Sequence, residues 1–244
     1  MNSPKLRIAY YADSNRELRT LVREHIEQQG PTCSLNHINV RGVTDFNGIF
    51  EKLDFRGDIS KWDVSRATIM DGMFRECSFN GNISRWKTSN VISMYQMFKD
   101  SQFNGNIAKW DVSSVEHMGE MFANSKFQGD LSSWKPLKLK QAFYMFEHCA
   151  FKGIIGHWDI PYLLDQNEAT NIFYEAPELL ACQFHSESSL GALALSEVIV
   201  QRQFTGIVSV DDQLKLLYSL DVFDGKSLRE SAEMVQTLLT STHA

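Results

Sequence analysis

A tryptophan returns every 24 residues, at Trp62, Trp86, Trp110, Trp134 and Trp158, and these are all five that the chain contains. The same interval carries glycines at 57, 81, 105, 129 and 153 and the aliphatic residues Ile59, Ile83, Ile107, Leu131 and Ile155. Two phenylalanine columns share it, one running Phe50, Phe74, Phe98, Phe122, Phe146 and the other Phe55, Phe79, Phe103, Phe127, Phe151. A fixed period of this size is the mark of a solenoid, whose units bury their apolar faces only against their neighbours.

The spacing within a unit narrows the expectation. Ile59, Trp62 and Val64 read as L-x-x-L-x-L, and the pattern recurs from Leu35, Ile38 and Val40 to Leu179, Cys182 and Phe184. In leucine-rich repeats that signature lines one face with short parallel strands. Seven such strands are expected, centred near residues 38, 62, 86, 110, 134, 158 and 182. Between them, Val91, Met94, Met97 and Phe98 recur as Val115, Met118, Met121 and Phe122, which places all four on one face of about two helical turns. The repeated glycine is expected to supply a backbone with positive φ. The fold class is therefore α/β, a leucine-rich-repeat-like parallel solenoid with an N-terminal helical cap and a C-terminal helical domain.

Three regions follow. Residues 1–34 form the N-terminal cap: Ser14 and Glu17 make a capping box, Leu18, Leu21, Val22 and Ile26 form one apolar stripe, and Gly30-Pro31 stops the helix. Residues 35–185 are the repeats. Pro136 replaces Val64 of the pattern there, and a local break is expected because proline removes a backbone donor. Residues 186–244 form a helical C-terminal module with a second capping box at Ser227 and Glu230. The chain's acidity lies toward its C-terminal side: residues 161–244 carry 4 basic and 12 acidic residues, while residues 35–160 carry 15 and 14.

The segments Ser34-Leu35-Asn36-His37-Ile38 and Val43-Thr44-Asp45-Phe46, with the repeated Phe-Asn-Gly-Asn-Ile-Ser-x-Trp and Val-x-x-Met-x-x-Met-Phe, carry a resemblance. Over about residues 14 to 160 the chain resembles the BspA-like surface-protein repeats, a family widespread in bacteria and allied to leucine-rich repeats. The resemblance implies a solenoid that binds proteins or cell surfaces, and it implies no catalysis and no fixed functional residues.

The residues themselves point the same way. The seven histidines are scattered, the four cysteines form no C-x-x-C pair, and the glycines are spread along the period rather than gathered into a phosphate loop. No catalytic residue, metal site or cofactor is expected. A near-neutral repeat region disfavours nucleic acid as the partner. No run of apolar residues is long enough for a membrane span, and residues 1–15 show no signal peptide, so the expected location is cytoplasmic, with a translocated or surface location as the alternative.

Two outward columns flank the buried positions. One reads Asn39, Asp63, Lys87, Asp111, Lys135, Asp159, an alternating-charge ladder expected to fix repeat order. The other, His37, Lys61, Arg85, Lys109, Ser133, His157, stacks three like charges, which does not stabilise the fold. The candidate partner-binding residues are therefore Lys61, Arg85, Lys109 and His157, with the cluster Lys135, Lys138 and Lys140. The expected function is non-enzymatic protein–protein interaction, as an effector or inhibitor that occupies a protein with an acidic patch. The alternative is an exported surface or adhesion protein. The C-terminal helices offer a route to a homodimer.

Overall fold

A computed structural model describes residues 10–153 together with 155, 158, 160 and 172. The rung at Leu179, Cys182 and Phe184, the C-terminal module, His157 and Asp159 lie outside the described residues.

The chain enters through β1 (Tyr10–Tyr11) and α1 (Asn15–Gln29). Ser14 caps α1 by accepting from the Glu17 N–H, and Gly30 ends it at φ +86°. Glu17 answers by accepting from the Asp13 N–H at 3.0 Å, one residue earlier than a reciprocal capping box would place the bond. Leu18 and Val22 of α1 are fully buried in the core that holds Leu35, Ile38 and the repeat aromatics. Asn15 Nδ2 donates to the carbonyls of Asp45 and Asn47, so both polar and apolar contacts join the helix to the first repeat.

β1 pairs in parallel with β2 (Ile38–Asn39). Further on, parallel bridges link Asp45 to Ile69, Ile69 to Ser93, Ser93 to His117 and His117 to Gln141. Each joins residues 24 apart, so consecutive units lie on one another in register. The bridged column thus runs through residue 69 and its equivalents. At the tryptophans, where strands were expected, the backbone turns: the Trp62, Trp86, Trp110 and Trp134 N–H groups donate to the carbonyls of Ile59, Ile83, Ile107 and Leu131 at 3.0–3.1 Å. Two apolar side chains three residues apart enter the core from such a turn, which is the burial pattern a strand reading also produces.

The segment expected to be helical differs more. Met94, Gln96, Phe98 and Asp100 N–H groups donate to the carbonyls of His117, Gly119, Met121 and Ala123 in the next unit, at 2.9–3.0 Å. The alternate donors Met97, Lys99 and Ser101 reach back three residues to Met94, Gln96 and Phe98. The result is a ribbon of overlapping turns. An α-helix would consume every donor internally; here half of them join unit to unit, and the same pattern repeats from Phe46 to Asn124. The ribbon needs left-handed backbone at fixed places, met by Gly48 and Lys52 and by Gly72 and Glu76 in the first units and by Gln96, Asp100, Glu120 and Asn124 later, at φ from +53° to +60°. Val91, Met94, Met97 and Phe98 all point inward and are fully buried, as a helix face would have placed them.

Within the core, the two phenylalanine columns stack ring on ring. Neighbours from Phe50 to Phe146 stand 5.3–5.8 Å apart and those from Phe55 to Phe151 5.8–6.4 Å. All five tryptophans are at most 4% exposed. The Trp62, Trp110, Trp134 and Trp158 indoles donate to the carbonyls of Leu35, Ile83, Ile107 and Leu131 in the unit before, at 2.9–3.4 Å, while Trp86 Nε1 has no acceptor. Cys77 is buried and Cys33 and Cys149 half-buried, all three as free thiols.

Two expectations change. Positive φ among the described glycines occurs at Gly30, Gly48 and Gly72, not at the repeated positions. Gly81 and Gly105 are needed because a Cβ there would stand 2.6–2.8 Å from the ring of Phe79 or Phe103 two residues earlier. Pro136 causes no break either. Its counterparts Val64 and Val112 close turns through their carbonyls, which accept from Ala67 and Val115, and the Pro136 carbonyl accepts from Leu139 at 3.1 Å in the same way.

Two substitutions check this geometry by chemical denaturation. Gly105→Ala should cost about 1–3 kcal/mol through overpacking against Phe103. Asp100→Gly, at φ +55°, should be neutral or stabilising. A helical residue there would instead lose about 1 kcal/mol on the same change.

Candidate interaction surface

The basic column rises from the tryptophan turns. In the first of them the Asp58 carboxylate accepts from the Ser60 N–H at 2.9 Å, and the Asn82, Asn106 and Asp130 side chains do the same for Ser84, Ala108 and Ser132 at 2.8–3.0 Å. Each side chain pins the start of the turn. With Ile59 and Trp62 anchored inward, Lys61 just before the tryptophan is turned outward. Lys61, Arg85 and Lys109 therefore stand exposed at equivalent turn positions on three consecutive units. They sit on turn apices rather than on strand edges.

These cations stand outside the ion pairs of the surface. Arg41, Lys52, Arg56, Arg75, Lys99 and Lys140 each form an ion pair, and among the described residues Lys61, Arg85 and Lys109 form none. The Asp58 carboxylate is held below the usual range chiefly by the Ser60 N–H, with Lys61 as the last and smallest contribution.

The alternating column is built differently from the expected ion-pair ladder. Asp63 accepts from the Ser65 N–H at 3.1 Å and pairs with Arg41 at 3.7 Å, and Asp111 accepts from the Ser113 N–H and hydroxyl at 3.0 and 2.7 Å. The Ser65 and Ser113 hydrogen bonds are what lower both carboxyls most. Lys87 acts on Asp63 only as a distant charge. These aspartates chiefly shape turns.

The remaining candidates separate. Lys140 Nζ is bound to Glu116 Oε2 at 2.8 Å, which lowers the Glu116 carboxyl and commits this lysine to holding two units together. Lys135 and Lys138 are exposed beside it.

A second polar surface lies on the turn ribbon. Arg75 pairs with Glu51 and donates from Nη1 to Gln96 Oε1 at 2.6 Å; Gln96 Nε2 and the Tyr95 hydroxyl donate to Glu120 Oε1 at 3.0 and 2.8 Å; Lys99 pairs with Glu120. Four units are linked in this way. Burial works against the Glu120 charge, but the Lys99, Tyr95 and Gln96 donors outweigh it and the carboxyl is lowered. Burial first, and then the Glu120 contact, push Tyr95 up to about 12. The sequence does carry a signal for such links, which is opposite charge or amide at a 24-residue interval: Glu51 with Arg75, Gln96 with Glu120, Lys52 with Glu76 and Glu116 with Lys140.

Among the described residues no cluster of His, Cys, Asp and Glu could hold a metal ion, and no helix is long and apolar enough to cross a membrane. Residues 24–102 and 99–181 each match the family described as Mycoplasma protein of unknown function, DUF285. The chain belongs to this family. The two matches overlap at their ends and together cover most of the chain, so the family pattern is itself met twice in succession, as a repeat protein requires. No curated protein and no solved structure matches the chain.

The Tyr95 site gives a titration test. A raised pKa means that the protonated phenol stabilises the fold fully below the ordinary tyrosine value of about 10. That contribution disappears as pH rises toward about 12. Phenolate absorbance should show one tyrosine ionising late, and Glu120→Gln should bring it back toward the ordinary value.

Proposed function

We propose that this chain is a leucine-rich-repeat-like parallel solenoid whose work is to bind another protein, without catalysis. In this reading residues 1–34 cap the repeats of residues 35–185, and residues 186–244 form an acidic helical module. The contact is made by Lys61, Arg85 and Lys109, and the partner presents an acidic patch. The observation that carries the reading is the column itself, three exposed cations without an ion pair on turns anchored by a buried aliphatic residue and a buried tryptophan. Stacking like charges costs the free protein stability, so their use lies in a partner. A rigid base also limits the entropy lost on association. The protein then acts as an effector or inhibitor by occupying its target.

A second reading, supported by the resemblance to BspA-like surface repeats, makes the chain an exported surface or adhesion protein. The same column would serve there, with the partner outside the cell.

Charge reversal at all three positions separates this face from a contact made by the acidic C-terminal module. Proteins captured from the source cell by the wild-type chain should be lost with Lys61→Glu, Arg85→Glu and Lys109→Glu combined, chiefly through slower association, and wild-type binding should weaken with salt. Unchanged capture by the triple variant, with loss on deletion of residues 186–244, would overturn the basic-column reading.

A further inference from the structure

Three aromatic rings meet where β1, α1 and the first repeat join. The Tyr10 ring stands edge-on to His25 at 4.7 Å and 89°, and to His37 at 5.4 Å and 74°; the two imidazoles are 4.8 Å apart. Each ring comes from a different element. His25 is only 5% exposed, and its Nδ1 lies 2.7 Å from the Leu21 carbonyl. A carbonyl can only accept, so Nδ1 carries the proton of the neutral ring and the free lone pair is on Nε2. The Cys33 thiol lies 3.9 Å from the His25 backbone carbonyl.

The nearby carboxylates are engaged elsewhere. Asp13 lies against the backbone at Gly42, Glu17 accepts from the Asp13 N–H, Asp58 accepts from the Asn36 side chain and the Ser60 N–H, and Asp63 pairs with Arg41. His25 is the one side chain among the contributions that shift His37. Neutral, the three rings are a compact contact. Protonation of His37, which is exposed, would set a cation 4.8 Å from the buried His25 ring.

We propose that Tyr10, His25 and His37 form an acid-sensitive clasp, which holds β1 against the first repeat at neutral pH and releases it on acidification. Burial and the neighbouring His25 lower the His37 pKa from 6.5, and both favour its neutral form. A lowered pKa means the stabilisation is present above 6.5 and is lost as pH falls below it. Opening breaks the pairing of Tyr10 with Ile38 and the hydrogen bond from Ala12 N–H to the Asn39 carbonyl, and it uncovers the edge of β2.

Amide hydrogen exchange on the full chain tests this, corrected for the intrinsic pH dependence of exchange. Ala12 protection should fall several-fold between pH 7.5 and pH 5.5 in the wild type while Phe98 and Phe122 stay protected. His37→Phe keeps a ring in contact but cannot be charged, so its Ala12 protection should not change with pH; tryptophan fluorescence checks that its core is intact. An Ala12 protection that is independent of pH in the wild type overturns the proposal. So does a pH-dependent fall that persists in His37→Phe, or a loss at both pH values in a variant whose core is folded.

Discussion

Everything in the described part of this protein depends on the hydrogen bonds that pass from one 24-residue unit to the next. Along the turn ribbon every second N–H donates to the following unit, and the donors between them mostly close three-residue turns, with Asn47 and Tyr95 donating to the Asp45 and Asp71 carboxylates instead. The ribbon's backbone donors are thus used within and between units while its apolar side chains are buried. Because the bonds fix the units in register, equivalent side chains must fall on one another, and this is why the phenylalanines stack in columns rather than interdigitate. Burying a phenylalanine is worth about 1.5–3 kcal/mol. Each unit contributes two, but only when its neighbours are present.

The same register governs the surface. Residues 24 apart become neighbours, so Glu51 meets Arg75, Lys52 meets Glu76 and Glu116 meets Lys140 across adjoining units. Where the column instead holds Lys61, Arg85 and Lys109, the architecture sets like charges side by side. The scaffold has no use for that arrangement, and the proposed function assigns it to a partner. Lys140, close by in sequence to Lys135 and Lys138, belongs to the scaffold through Glu116.

The burial pattern was legible in the sequence because it depends only on the period and on which residues are apolar. Trp62, Phe74 and Met94 had to be inside under any conformation that repeats every 24 residues. Conformation was harder to read. The spacing of Val91, Met94, Met97 and Phe98 fits one face of a helix, yet a ribbon of turns buries the same four side chains. What decides between them is whether a backbone donor is used within the unit or between units, and side-chain spacing carries no record of that. Gly105 was misread for a related reason: a small residue at a fixed place answers either to backbone angle or to a ring lying close by, and only the position of Phe103 separates the two. The Glu51–Arg75 and Gln96–Glu120 links could have been found by pairing polar residues one period apart.

Through-hydrogen-bond couplings in the NMR spectrum of the labelled protein test the account most directly. The amide nitrogens of Met94, Gln96, Phe98 and Asp100 should couple to the carbonyl carbons of His117, Gly119, Met121 and Ala123. Couplings from those nitrogens to carbonyls four residues earlier in the same unit would mean that the segment is helical, and would contradict it.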